Sequence, residues 1–214
     1  MKNTSIWTCK RVLRQVACLV GVLAIAACTP VTTQDSMVFT DSNIIAQAPT
    51  GYCVDGAASN PETGFAVLAL CATLQGGGAI PSTAAVATIQ IGAANSGMVA
   101  GGETALRDFL ESDAGAALLS GSGDSSTISV VDAQSSRGRV TVNFSDSAPH
   151  SMPGLQSHEW RAFKDINGRL VTVALRGLAT APLDESTGIW LLNAITTGIS
   201  PVVFAQTDAQ SSES

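Results

Sequence analysis

Two histidines, His150 and His158, are the side chains of this 214-residue chain best suited to proton transfer near neutral pH. Glu159 follows His158 directly, so a metal site could use these three side chains. Their spacing matches no zinc pattern, because such patterns place their ligands at fixed short separations. We therefore predict no metal and no cofactor. A hydrolase-type enzyme with His150 or His158 as its general base stays an alternative.

Other catalytic and ligand-binding signals in the sequence are weak. A Ser-His-Asp hydrolase usually holds its serine in a Gly-x-Ser-x-Gly turn, and Ser120-Gly121-Ser122-Gly123 lacks that frame. Neither a lysine nor a helix cap follows Gly76-Gly77-Gly78 in the way that a phosphate loop requires. Trp160 and Trp190 could line a pocket for a small apolar ligand, although large aromatic residues more often fill a core. We predict no catalytic residue and keep a ligand carrier as a second alternative.

The most specific motif is the run Ile25-Ala26-Ala27-Cys28. A branched apolar residue, two small residues and a cysteine resemble the lipobox of bacterial lipoproteins. The resemblance implies that residues 1–27 are removed and that Cys28 becomes the acylated, palmitate-bearing first residue. In such lipoproteins an aspartate after the cysteine favours the inner membrane. Thr29 stands there in this chain, so the resemblance implies an outer-membrane anchor that faces the periplasm.

The residues before this motif have the features of a secretory signal. Four lysines and arginines lie within the first fourteen residues, and the run 16–27 carries no charge. A basic segment, an apolar run of about 7–15 residues and a small-residue cleavage site are typical of such signals. A transmembrane helix would need about 20 apolar residues. Pro30 ends this run before that length is reached.

The chain beyond the signal is acidic. All seventeen Asp and Glu lie after Cys28 with seven Lys and Arg, so the mature charge is 7 − 17 = −10. Nucleic-acid binding needs a clustered basic surface, and electrostatic attachment to anionic lipid also needs cations. We therefore predict no nucleic-acid partner. The bilayer is reached through the acyl chains on Cys28, and an envelope protein is the remaining candidate partner.

Cysteine counting predicts one disulfide. Of the five cysteines, Cys9 and Cys18 lie in the removed segment and Cys28 carries the lipid, which leaves Cys53 and Cys71. The cell envelope is an oxidising compartment in which such a pair forms a bond. We predict that the bond links two strands and stabilises the domain. No cation flanks Cys71 to activate its thiol, so a chemical role is not expected.

Apolar periodicity predicts the first strands of the domain. A first strand is expected within 37–46, and others at 51–55, 65–71 and 84–91. The stretch 65–71 is apolar without alternation, which predicts a central strand buried on both faces. Ile89 and Ile91 share one face of their strand.

The first predicted hairpin folds about Ser136. Its register pairs Ile128 with Phe144 and Val130 with Val142, which gathers the apolar residues on one face.

The second predicted hairpin turns at Asn167-Gly168, a strong hairpin signal. With this turn, residues on both faces of the hairpin lie opposite suitable cross-strand partners. The pairs are Trp160 with Leu175 and Ala162 with Val173 on a buried face, and Glu159 with Arg176 and Phe163 with Thr172 on the other.

Two helical segments complete the domain. The first presents Leu106, Phe109 and Leu110 on one face, and Ser112 or Asp113 caps a second short turn after it. The last helix begins after Pro182, contains the apolar run 189–195 and ends at Gly198.

This order of elements predicts an α+β fold: an antiparallel sheet of hairpins with two packed helices and one disulfide. The predicted organisation is a signal peptide at 1–27, a lipidated tether and first strand at 28–48, one α+β domain at 49–205 and a flexible tail at 206–214. The order resembles that of the PsbP-type sandwich. No motif accompanies this resemblance, so it implies no functional residue.

These features favour a membrane-anchored envelope lipoprotein that acts as a non-catalytic binding or assembly module. The anchor motif is specific, and catalytic signatures are missing from the sequence.

We expect Cys28 to be acylated and residues 1–27 to be absent from the mature protein. Intact-mass analysis of protein extracted from membranes should find a polypeptide that starts at Cys28 and carries acyl chains. Cys28→Ala should leave the protein uncleaved or remove it from the membrane fraction. Cys18→Ala, within the removed segment, should change neither mass nor fractionation. An unmodified N-terminus, or one at another residue, would contradict the prediction.

Overall fold

A computed structural model of the chain describes residues 34–76, 83–149 and 152–203. The chain divides into two units, Met1–Pro30 and Val31–Ser214, and every described residue belongs to the second. Cys28, His150 and the segment 206–214 lie outside the described residues. The acylation and the predicted domain boundaries therefore stay predictions.

The described residues form ten strands and four α-helices. The strands are β1 (Ser36–Phe39), β2 (Ile44–Gln47), β3 (Tyr52–Val54), β4 (Phe65–Leu70), β5 (Ala85–Ile91), β6 (Ile128–Ser135), β7 (Arg139–Asp146), β8 (His158–Ile166), β9 (Arg169–Gly177) and β10 (Ile199–Pro201). The helices are α1 (Cys71–Leu74), α2 (Glu103–Leu110), α3 (Asp113–Leu119) and α4 (Glu185–Thr197). In these three described ranges, no helix has the length and apolar character needed to cross a membrane.

The strands form two antiparallel sheets. The large sheet has the order β3-β4-β5-β9-β8-β7-β6, and the small sheet has the order β1-β2-β10. The α+β class with an antiparallel sheet of hairpins is confirmed.

Ser112 caps α3, as predicted, by accepting a hydrogen bond from the Gly115 N–H at 3.3 Å. Helix α1 has no counterpart in the predicted elements, because residue 71 was assigned to the strand before it.

The large sheet has a packed layer on each face. On one face α4 and the small sheet share an apolar core with β5, β8 and β9 that includes Trp160 and Ile195. On the other face α2 packs on β6 and β7, with Leu106 and Val142 in the core. Successive residues of a strand point to opposite faces. The side chains of β7 and β8 are thus divided between the two layers.

The predicted register of the β8–β9 hairpin is confirmed. Trp160 lies opposite Leu175 and Ala162 opposite Val173, all four buried, and Phe163 lies opposite Thr172. Asn167 and Gly168 both adopt positive φ in the turn, which suits a two-residue hairpin loop.

The Glu159 side chain is buried, although the sequence predicted it on the face of the hairpin opposite the buried one. Its side chain is 3% exposed, and its two oxygens accept from Arg161 Nε at 2.7 Å and Arg176 Nε at 2.6 Å. The Arg161 guanidinium also lies over the Phe144 ring, 5.2 Å from its centroid. Glu159 therefore ties β8 to β9, and its loss would leave two guanidiniums without their shared partner.

The predicted register of the β6–β7 hairpin is wrong. Val130, not Ile128, lies opposite Phe144, and Ala133 lies opposite Val142. The turn residues with positive φ are Arg137 and Gly138, so the loop is displaced from Ser136 towards β7. A bulge at Val131 then moves Val130 back to the apolar face.

The prediction that β4 is buried on both faces is also wrong. Ala66, Leu68 and Leu70 are buried, whereas Val67 and Ala69 are only half-buried. The helices α2 and α3 pack on β6 and β7, at the far end of the sheet from β4. The second face of β4 therefore lacks their cover.

The predicted disulfide is confirmed. Cys53 in β3 and Cys71 at the start of α1 are bonded, with their Cα atoms 4.9 Å apart. Strand β3 pairs with β4, which brings the end of β4 back beside Cys53. The bond closes a loop over a sequence separation of 18 residues.

Replacing both Cys53 and Cys71 with alanine should lower the free energy of unfolding by about 3 kcal/mol, because the open chain gains entropy in the unfolded state. Chemical denaturation measures this loss. Reductant should destabilise the wild type to a similar extent and leave the double variant unchanged. Equal stability of the two proteins under oxidising conditions would contradict the prediction.

Candidate functional site

The residues predicted as candidate sites are separated in the fold. His158 and Trp160 lie on the face of β8 that α4 covers, and Trp160 is only 1% exposed. Trp190 lies on α4 with 64% of its side chain exposed and does not line the recess that contains Trp160. His150, the other candidate base, lies outside the described residues.

Three adjoining recesses lie along α4, between this helix and residues of β6, β7 and β8, and we call them the α4 groove. The outer recess at the start of α4 has a volume of about 340 Å³ and includes Val131, His158 and Glu185. The middle recess has about 70 Å³ and shares Asn143 and Trp160 with the first. The recess at the end of α4 has about 420 Å³ and shares Arg139 with the middle one. The groove thus follows the whole helix.

The position of α4 is set by its first turn. Asp184 caps the helix by accepting from the Thr187 N–H at 2.8 Å, and the Ser186 hydroxyl, together with Thr187, holds the pKa of Asp184 at about 2. Gly188 then passes directly over the indole of Trp160, where an added Cβ would overlap the ring. The helix can approach the sheet this closely only because residue 188 has no side chain.

Among the residues that the structure describes, two buried polar atoms in the groove have no hydrogen-bond partner. They are Asn143 Oδ1, an acceptor, and Trp160 Nε1, a donor. Asn143 lies directly opposite Trp160 in the β7–β8 ladder, and both residues line the middle recess. Buried polar groups are almost always paired, so this pair is the strongest structural indication of a binding site.

The surroundings of His158 lower the pKa of its imidazole. The Ser145 hydroxyl lies 3.1 Å from Nδ1, and the imidazole meets the Trp160 ring edge-on at 4.7 Å between centroids. Burial lowers the pKa of His158, and the Glu185 carboxylate only partly offsets this effect. A lower pKa makes a weaker base, so the Ser145–His158 pair is poorly suited to general-base catalysis.

The recess at the end of α4 is basic. Arg137 and Arg139 from the β6–β7 turn and Lys164 from β8 line it, together with Thr196 and Thr197. Burial, and next the Arg139 guanidinium, lower the pKa of Lys164. Lys164 Nζ donates to the Thr196 and Ile199 carbonyls at 3.3 and 3.0 Å. In the described part of the chain, the guanidiniums of Arg137 and Arg139 have no hydrogen-bond or ion-pair partner.

The opposite face of the sheet has a cavity of about 170 Å³ beside Glu159, Arg161 and Arg176. Both Glu159 oxygens are already bonded to the two guanidiniums, so this cluster has a structural explanation. Across residues 34–76, 83–149 and 152–203, no three His, Cys, Asp or Glu side chains are grouped as a metal ion would require.

Sequence reasoning missed Asn143, Arg137 and Arg139 as site residues. The sequence signal for Asn143 was its own polar side chain, at a strand position that faces the same side of the sheet as Trp160. The two arginines flank the Gly138 turn, and their place beside Lys164 in one recess becomes visible only in the folded chain.

No protein-family model and no curated protein matches the chain. Among solved structures, the Ran-binding protein Mog1p of Saccharomyces cerevisiae has a TM-score of 0.47 at 8% identity, over 80% of this chain and 96% of that one. A mutant of protein Mog1 has a TM-score of 0.45 at 9% identity, over 79% and 96%. The PsbP-type protein CyanoP of Synechocystis sp. PCC 6803 has a TM-score of 0.39 at 12% identity, over 85% and 99%. We transfer no functional residue from these proteins.

Gly188→Ala should lower the free energy of unfolding by about 1–3 kcal/mol, because the new methyl group overpacks against Trp160. The loss should appear although alanine favours a helix more than glycine does. Gly101→Ala is the control, since an added Cβ there meets no atom within 4 Å. Chemical denaturation of both variants tests the contact. A Gly188→Ala protein as stable as the wild type would contradict it.

Proposed function

We propose that this chain is an envelope lipoprotein, anchored through acylated Cys28, whose α4 groove binds an extended acidic segment of a partner protein. The observation that carries the proposal is the basic recess. Arg137, Arg139 and Lys164 are three of only seven cations in a mature chain of net charge −10, and they line one recess together.

Electrostatics supports an anionic occupant of this recess. Like charges gathered in one recess repel, and the partial burial of Arg139 and Lys164 increases that cost. Glu103, which accepts from the Gly138 N–H between the two arginines, and Asp132 beside Arg139 offset part of it. The carbonyls at the end of α4 account for Lys164, which bonds to two backbone oxygens there. They do not account for Arg137 and Arg139, whose side chains have no described partner. A carboxylate from another protein would neutralise them through paired hydrogen bonds.

The length of the groove suits a peptide segment. Helix α4 has 13 residues, so the groove beside it extends for about 20 Å. An extended segment of about six residues spans that distance at roughly 3.3 Å per residue. Such a segment would place its acidic residue in the basic recess and its other end near His158.

The two alternatives receive less support. A carrier of small apolar ligands needs a largely apolar pocket of about 300–1,000 Å³. Trp160 lines recesses of about 70 and 340 Å³, but Trp190 lines neither, and each recess includes a carboxylate, Asp132 or Glu185. A histidine-based hydrolase would use His150, which lies outside the described residues, or His158, whose lowered pKa weakens it as a base.

Two observations support the proposed location in the cell envelope. The disulfide between Cys53 and Cys71 is typical of proteins in oxidising compartments. The lipobox-like run that ends at Cys28 provides the membrane attachment, and the intact-mass measurement above tests it directly.

Site-specific photo-crosslinking in intact cells tests the proposed partner. A benzoyl-phenylalanine at Val131 or Ile189, which line the groove and are 57% and 39% exposed, should form an adduct with one envelope protein. The same group at Leu118 on α3, 70% exposed, is the control and should not form that adduct.

Charge reversal then tests the basic recess. The double change Arg137→Glu and Arg139→Glu should reduce the adduct from Val131 at least tenfold, because it replaces attraction by repulsion. Arg107→Glu on α2, outside the groove, should leave the adduct unchanged. Absence of a protein adduct, adducts with lipid alone, or an equal yield from Leu118 would contradict the proposed function.

A further inference from the structure

We infer that Asn143 and Trp160 together bind the side-chain carboxamide of an asparagine or glutamine of the segment in the α4 groove. The inference rests on the proposed function and adds the chemistry that the centre of the groove recognises. It is carried by a different observation, the two unpartnered buried atoms of the middle recess.

The two atoms have opposite hydrogen-bonding character. Trp160 Nε1–H can only donate, and Asn143 Oδ1 can only accept. Asn143 is 5% exposed and Trp160 is 1% exposed, and the two residues face each other across β7 and β8. Their complement is a group with a carbonyl oxygen beside an N–H. A primary carboxamide carries both on the same side of one planar unit, whereas the C=O and N–H of a trans backbone amide point in opposite directions.

The pair is rigid before any ligand binds. Gly188 of α4 lies over the indole of Trp160, and His158 contacts the ring edge. Asn143 is held in a central strand that pairs with both β6 and β8. A preorganised donor and acceptor lose little conformational entropy on binding, so the centre of the groove can select a ligand by its hydrogen-bonding pattern.

Other occupants of the middle recess match the pair less well. A carboxylate has no donor for Asn143 Oδ1, and Asp132 lines the same recess. An ester offers a carbonyl oxygen but no N–H. The recess of about 70 Å³ also has room for several water molecules, which could satisfy both atoms without a ligand. The experiment must therefore separate an amide from an ester, a carboxylate and water.

NMR of the full mature chain in detergent micelles provides that separation. Removal of residues 1–27 leaves two indole N–H signals, from Trp160 and from Trp190, which is 64% exposed and serves as an internal control. Acetamide represents the side-chain amide, and N-methylacetamide, whose C=O and N–H point in opposite directions, is a control. Acetamide should shift the Trp160 signal saturably and bind at least fivefold more tightly than N-methylacetamide, methyl acetate or acetate.

Asn143→Leu keeps the size of the side chain and removes the acceptor. This variant should lose the preference for acetamide over methyl acetate. Its melting temperature should be unchanged or higher, because an unpaired buried polar group is replaced by an apolar one. A lower melting temperature would instead mean that Asn143 has a structural role.

The inference is overturned if N-methylacetamide or methyl acetate binds as tightly as acetamide, or if Trp190 shifts as much as Trp160. No saturable shift would mean that the recess holds water only. Tighter binding of acetate would mean that the Asn143 amide presents its nitrogen and that the pair takes a carboxylate.

The crosslinking assay distinguishes this failure from failure of the proposed function. If Asn143→Leu retains the full protein adduct from Val131, the amide inference fails and the partner-binding proposal stands. If the wild type forms no protein adduct, the proposed function fails, and the NMR titration still decides whether the pair selects an amide. A tenfold loss of the adduct in Asn143→Leu, with the adduct of the wild type intact, supports both the amide inference and the proposed function.

Discussion

The contact of Gly188 with the Trp160 indole sets the distance between α4 and the large sheet. Trp160 is among the largest fully buried side chains, and any Cβ at residue 188 would overlap its ring. The same contact places Asn143 and Trp160 under the helix, where water has limited access. The α4 groove therefore depends on one glycine above one tryptophan.

Alternation along β8 places the salt-bridge cluster and the α4 groove on opposite faces of the sheet. Glu159 and Arg161 point to the face that carries the salt-bridge cluster, where their charges are paired. His158 and Trp160 point to the α4 face, where Trp160 Nε1 has no partner. Successive residues of one strand thus serve different purposes because the pleat directs them to opposite layers. A sequence motif at 158–161 cannot be interpreted without knowing this division.

The two ends of the α4 groove carry opposite charges. Glu185 lies at the start of α4 and Arg137, Arg139 and Lys164 lie at its end. The order of these charges follows the helix dipole, which favours acids at the N-terminus and cations at the C-terminus. A segment bound along the groove would therefore have one preferred orientation. The rest of the mature chain is strongly acidic and would repel an acidic partner elsewhere.

The sequence alone determined features with strong local causes. Asn167-Gly168 set the β8–β9 register, because its turn geometry and the apolar alternation agree, and cysteine counting identified the bond between Cys53 and Cys71. The β6–β7 register was misjudged, since the bulge at Val131 leaves no trace in the apolar pattern. Only the tertiary structure decided the site. Arg139 and Lys164 meet because β7 pairs with β8, and Thr196 joins them because α4 packs on β8. The missing partners of Asn143 and Trp160 become apparent only once that packing buries both atoms.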